Sequence, residues 1–189
     1  MWAWLLVGLL TVGCVAGPEP VPSPTVGDLL DVYAATCAGP EGLDDCSPER
    51  FELTFARELP AMRRFRSELV DHWTAALRAG DHAAAYGLAW ANVRPALPDL
   101  REGLLAERYF YGWESSDAHE PSARMRDHNY PRHLARILAI EALSGQPIAD
   151  AVALTPGERA RLVEESLEGD EPGGPSDVAR WLLIKLSPE

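Results

Sequence analysis

His119, Asp127, His128 and His133 bring together the side-chain types that hydrolytic chemistry most often uses. Imidazole and carboxylate are ordinary ligands for zinc and similar ions, and a bound ion would make a nucleophile of water. Their spacing, however, matches no helical metal motif. The chain has no His-Glu-x-x-His run, and His128 and His133 stand five residues apart, about 140° round a helix if both sat on one. Pro131 lies between them, so a shared helix is not expected. Surface or locally hydrogen-bonded histidines are the simpler expectation. A metal-dependent hydrolase using a His/Asp cluster in the segment 117–133 is the alternative function.

Other catalytic patterns are missing from the sequence. None of its serines lies in a Gly-x-Ser-x-Gly elbow, and Lys185, the single lysine, follows no glycine-rich phosphate loop. There is no Cys-x-x-Cys-His haem signature, and no cofactor is expected. The neighbours Asp44-Asp45 and Glu164-Glu165 point in different directions on a helix and read as solvated charge. Arg63, Arg64 and Arg66 form a basic cluster that either meets an acidic partner or pairs with the chain's own carboxylates.

Charge and size narrow the classes further. Asp+Glu number 29 against 17 Lys+Arg, a net charge of -12, which disfavours nucleic-acid phosphate or an anionic bilayer surface as the main partner. With 189 residues, 47% of them hydrophobic, the chain can bury roughly 70% of its unfolded surface around one core. Disorder throughout is therefore not expected.

The cysteines point to a compartment. Cys37 and Cys46 flank a short Gly/Pro-containing loop, and in an oxidising environment such a pair reads as a disulfide. Closing that loop contributes roughly 2.5–3 kcal/mol in the chain-entropy model. Two unrelated thiols are the bland alternative. The spacing is too wide for a Cys-x2–4-Cys zinc knuckle, and no second pair follows.

Cys14, the third cysteine, follows an uncharged apolar run that includes Trp2, Trp4, Leu5, Leu6, Val7, Leu9 and Leu10. The run is shorter than the ~20 residues a spanning helix needs, and a secretory leader is the better reading. Thr11-Val12-Gly13-Cys14 resembles the lipobox of bacterial lipoproteins. The resemblance implies removal of residues 1–13 as a signal peptide and lipidation of Cys14, with attachment to a membrane of the cell envelope. The n-region departs from that pattern in carrying no Lys or Arg. An ordinary signal peptide cleaved near Ala16 or Gly17 would instead give a soluble secreted or periplasmic protein, and a cytoplasmic chain with an apolar tail is the third reading. Pro18, Pro20, Pro22 and Pro24 make residues 14–26 an extended tether.

The elements that must carry these residues read as one all-α domain over 27–189, of about seven to eight helices. Thr25 and Asp28 form a capping box before Leu29, Leu30, Val32, Tyr33 and Cys37. Ser47-Pro48 starts a segment with Phe51 and Phe55. Pro60 opens a longer helix with Met62, Phe65, Leu69, Trp73, Ala76 and Leu77, ending at Gly80. Asp81 caps an alanine-rich helix over 82–93, and Pro98-Asp99 opens another with Leu100, Leu104 and Leu105. Pro131 begins a helix closed by Gly145, Thr155-Pro156-Gly157-Glu158 is a second capping box, and Ser176 or Asp177 starts the last helix.

The runs from Ala83, His133 and Asp177 mix small and large apolar residues and recur roughly every 45–50 residues, near the period of helical arrays. They resemble degenerate HEAT-type repeats, which implies a short α-solenoid presenting a surface to a protein partner, with no catalytic residues to carry over. A plain helical bundle is the alternative. An irregular insert over 109–130 interrupts the pattern and opens with Tyr109, Phe110, Tyr111 and Trp113, either a plug over the end of the bundle or a candidate binding surface. The combined expectation is an exported, lipid-anchored, non-enzymatic binding or scaffold module in a bacterial envelope, possessing no nucleic-acid partner.

Overall fold

A computed structural model of the chain describes residues 23–37, 45–109, 131–168 and 174–187. The described residues contain no strand and ten α-helices: α1 (Val26–Cys37), α2 (Phe51–Thr54), α3 (Leu59–Arg64), α4 (Arg66–Arg78), α5 (Ala84–Trp90), α6 (Leu97–Ala106), α7 (Pro131–Ser144), α8 (Ile148–Ala151), α9 (Pro156–Leu167) and α10 (Pro175–Lys185). A 3-10 turn, Arg94–Ala96, leads into α6. The all-α expectation is met. The count is higher than seven to eight because the helix expected from Pro60 to Gly80 is divided into α3 and α4, and because α8 is too short to show a full helical period in sequence. No helix among the described residues is long and apolar enough to cross a membrane.

Local chemistry sets the helix ends. Thr25 Oγ1 accepts from the Asp28 amide at 3.2 Å while the Thr25 amide donates to Asp28 Oδ2 at 2.8 Å, the reciprocal box expected from sequence. Thr155 and Glu158 repeat it at α9, with matching distances of 3.2 and 2.9 Å. Gly80 and Gly145 close α4 and α7 at φ +93° and +70°, a region that costs glycine nothing. The helix expected to run unbroken from Pro60 to Gly80 is divided at Phe65, whose φ/ψ of -99°/22° lies off the helical values. The Arg64 guanidinium stacks over the Phe65 ring at that break. The alanine-rich helix is shorter than its expected span of 82–93, because Asn92 adopts φ +48° and turns the chain.

The core forms around α5, which is buried from Ala84 to Ala89 on all sides. Its small residues let α4 and α7 approach closely, and α7 answers with buried Ala135 and Ala139. α1 contributes Leu29, Tyr33 and Cys37 at four-residue spacing, and α4 contributes Leu69, Trp73 and Leu77 in the same way. Tyr33 is the centre of an aromatic cluster: Trp73, Phe55 and Phe51 lie 5.0, 5.8 and 6.1 Å away by ring centroid. These distances are in the range where aromatic pairs add to their buried area.

The Tyr33 hydroxyl ties this cluster to α5. It donates to the Ala83 carbonyl and accepts from the Gly87 amide at 2.9 Å. Burial pushes the phenol well above its ordinary pKa, so it stays a neutral donor. Tyr33→Phe is expected to leave the Gly87 amide without this acceptor and the Ala83 carbonyl with the Tyr86 amide at 3.1 Å, and to cost about 1–3 kcal/mol, readable as a lower urea midpoint at an unchanged slope. An unaltered midpoint would show that water replaces the hydroxyl at no cost.

Cys37 ends α1, and its sulfur is bonded to Cys46 with a Cα–Cα distance of 5.6 Å. Both cysteines are buried, and the bridge fixes α1 beside the turn that leads into α2. The Thr54 hydroxyl donates to the Asp45 carbonyl at 2.6 Å and holds the same turn from the other side.

Candidate functional site

The polar side chains that the fold buries or half-buries gather around the end of α6, at the two roots of the insert. His133 sits in the first turn of α7, only 1% exposed, with its ring edge-on to Trp181 of α10 at 5.3 Å. Its ring also hydrogen-bonds the Glu107 backbone. Burial pushes the imidazole down to about 3, and the guanidinium of Arg136 adds to the effect. His133 is therefore neutral at physiological pH, held by packing and a backbone contact.

Arg136 lies one turn further along α7, on the apolar seam that continues through Ile140 and Leu143. Its Nη1 is 3.4 Å from Glu107 Oε2, and Arg132 Nη1 is 3.9 Å from the same oxygen. Gly103 on α6 makes the seat for this buried charge. A Cβ there would stand 2.9 Å from Arg136 Nε, too close for the guanidinium to remain where it is. His82, just before α5, faces the same group, and burial lowers its pKa as well. Two arginines and one carboxylate leave the cluster with a net positive charge, which adds to burial in lowering the pKa of both histidines.

A second polar arrangement opens on the other side of α6. An open cleft of about 570 Å³ runs between α6 and α9, with apolar lining from Pro98, Leu105 and Ala106 and guanidiniums from Arg101, Arg108 and Arg161. Arg101 Nη2 donates to Glu158 Oε2 at 2.8 Å. That bond, followed by the Thr155 backbone, holds the Glu158 carboxyl down to about 2. Arg108 Nη2 and Arg161 Nε both face Glu165 Oε1, at 3.3 and 3.7 Å. Glu165 Oε2 is buried and accepts no hydrogen bond from the described residues. The Arg101–Glu158 and Arg108–Glu165 pairs join α6 and the residues just after it to α9.

The residues singled out in sequence fare differently. Tyr109 is 47% exposed just beyond α6. Phe110, Tyr111 and Trp113 lie outside the described residues, as do Cys14, His119, Asp127 and His128. Of the four candidate metal ligands only His133 is described, and the described residues contain no group of three or more His, Cys, Asp or Glu able to hold an ion. Arg63, in the basic cluster, pairs with Glu52 at 2.9 Å, and Arg66 donates to the Ala91 carbonyl, so both serve the chain's own fold. Arg64, the third member, lies over Phe65.

Sequence reasoning missed Arg136 and the three arginines of the cleft. For Arg136 the signal was there: a charge three residues from His133 and four from Ile140 falls on the buried face of an amphipathic helix. For the cleft there was none, because Arg101 and Arg161 meet only through tertiary packing. In comparisons with known proteins, the chain matches no family model, no curated protein and no solved structure.

Proposed function

We propose that this chain is an exported protein held to a bacterial envelope membrane by lipid on Cys14, and that its helical domain binds another protein. The observation that carries the reading is the bonded pair Cys37–Cys46, which suits an oxidising compartment and leaves Cys14 as the odd cysteine beside the lipobox-like Thr11-Val12-Gly13. Lipid at Cys14 would contribute about 0.8 kcal/mol per buried methylene, so two chains hold firmly. The proline-rich tether then keeps the acidic domain clear of anionic headgroups.

The binding role draws on the helical array and on its uncovered apolar side chains. Tyr109 stands exposed where the aromatic segment begins, and Leu167 and Ile184 are 80% and 74% exposed on α9 and α10. A HEAT-like ancestry fits the pairing of α9 with α10 and of α6 with α7.

Cys14→Ser tests the anchor. The variant is expected to leave the membrane fraction and to keep the far-ultraviolet helical signal of the parent. A variant that still sediments with membranes after a high-salt wash would refute lipid attachment.

A further inference from the structure

We infer that the cleft between α6 and α9 is a binding site for a single carboxylate that carries an apolar group, as at the C-terminus of a peptide or in a small organic acid. A guanidinium offers five N–H donors in a planar fork that matches a carboxylate. Arg108 commits Nη1 to the Leu105 carbonyl at 2.7 Å, but its ion pair to Glu165 is long. Arg161 reaches that same oxygen only at 3.7 Å. Two cations thus share one carboxylate oxygen, and the cleft is lined by three arginines against the two carboxylates of Glu102 and Glu158.

The rest of the cleft defines what the anion must carry. Arg101 and Glu158 neutralise each other, and Thr155 pins the carboxylate, so this pair forms a fixed wall. Pro98 and Ala106 offer an apolar surface beside the arginines. A volume of about 570 Å³ lies within the range of small-ligand sites, roughly 300–1,000 Å³. Glu102 also lines the cleft and is exposed, and the chain as a whole carries -12. Both features select against polyanions such as nucleotides and favour one negative charge.

Calorimetric titration of the purified full chain tests this with N-acetyl-leucine, its amide, hexanoate and an acetylated tripeptide ending in leucine. The acids are expected to bind saturably at one site, the amide about tenfold or more weaker, and added salt should weaken the acids. Arg161→Gln, a half-exposed position, should reduce affinity about tenfold at an unchanged melting temperature. Glu165→Gln should move affinity the other way, because it removes the carboxylate that competes for both arginines. A preference for the tripeptide identifies a chain terminus as the source of the carboxylate and a preference for hexanoate a free acid; both uphold the site. Equal binding of acid and amide, no saturation by about 10 mM, or affinity unmoved by either substitution would overturn it.

Discussion

Gly87→Ala is expected to destabilise the protein by about 3–4 kcal/mol or more, the largest effect of any Gly→Ala change among the described glycines. A Cβ at this position would stand 2.6 Å from Trp73 Cε2 and 2.7 Å from Cε3, and nearer still to Cδ2. Neither side can yield cheaply. The methyl would be fixed to the backbone of α5, and the Trp73 ring is itself packed against Tyr33 at 5.0 Å and Trp90 at 6.2 Å. Gly87 also donates its amide to the Tyr33 hydroxyl, so a shift of α5 would break that bond too. Chemical denaturation of Gly87→Ala reads the cost. The origin is isolated by combining it with Trp73→Leu: with the ring gone, the additional cost of the methyl should fall below about 1 kcal/mol. A full penalty in the Trp73→Leu background would place the strain elsewhere.

Acid is expected to weaken the fold through His133. Its unfolded imidazole takes up a proton near 6.5, whereas the folded one does so only at about 3. The stabilisation is therefore complete above 6.5 and is lost as pH falls through the interval down to about 3, at up to ~1.4 kcal/mol per pH unit. The groups facing the ring enforce this sign. Arg136 and Arg132 oppose a third positive charge, Glu107 offsets them in part, and Trp181 gives no acceptor. His82 contributes in the same direction, and Glu158, with its carboxyl held down to about 2, adds acid sensitivity only below about 4.5. The interval from 6.5 to 4.5 thus belongs to the histidines. In it, His133→Gln should lower stability at neutral pH and flatten the dependence on pH, as measured by urea midpoints at successive pH values. A slope identical to that of the parent would show that His133 already titrates normally in the folded chain.

The two effects illustrate what the sequence could reveal and what it could not. Thr25/Asp28 and Thr155/Glu158 were legible as capping boxes because each is complete within four residues and its bonds are local. Gly80 and Gly145 were legible as stops for the same reason. The disulfide could be read from its compartment logic and short loop. The break at Phe65 could not, because Met62, Phe65, Leu69 and Trp73 keep helical spacing across it. Nor could the meeting of Gly87 with Trp73, which are fourteen residues apart on different helices.

Reading His133 among metal ligands followed from residue type alone. Its environment, set by Arg136 and by Trp181 nearly fifty residues away, exists only once α7 and α10 have packed. The same distance in sequence hid the cleft, whose walls come from α6 and α9. Residue patterns thus supplied the helices and their ends, and tertiary packing created the polar sites between them.

Intact mass spectrometry of the membrane-extracted protein, with and without reductant before thiol alkylation, tests the proposed export and anchoring most directly. The account predicts a chain that begins at Cys14, carries a diacylglyceryl group there, and takes up alkylating reagent at Cys37 and Cys46 only after reduction. A chain that retains Met1 and is alkylated at Cys37 and Cys46 without reductant would contradict it.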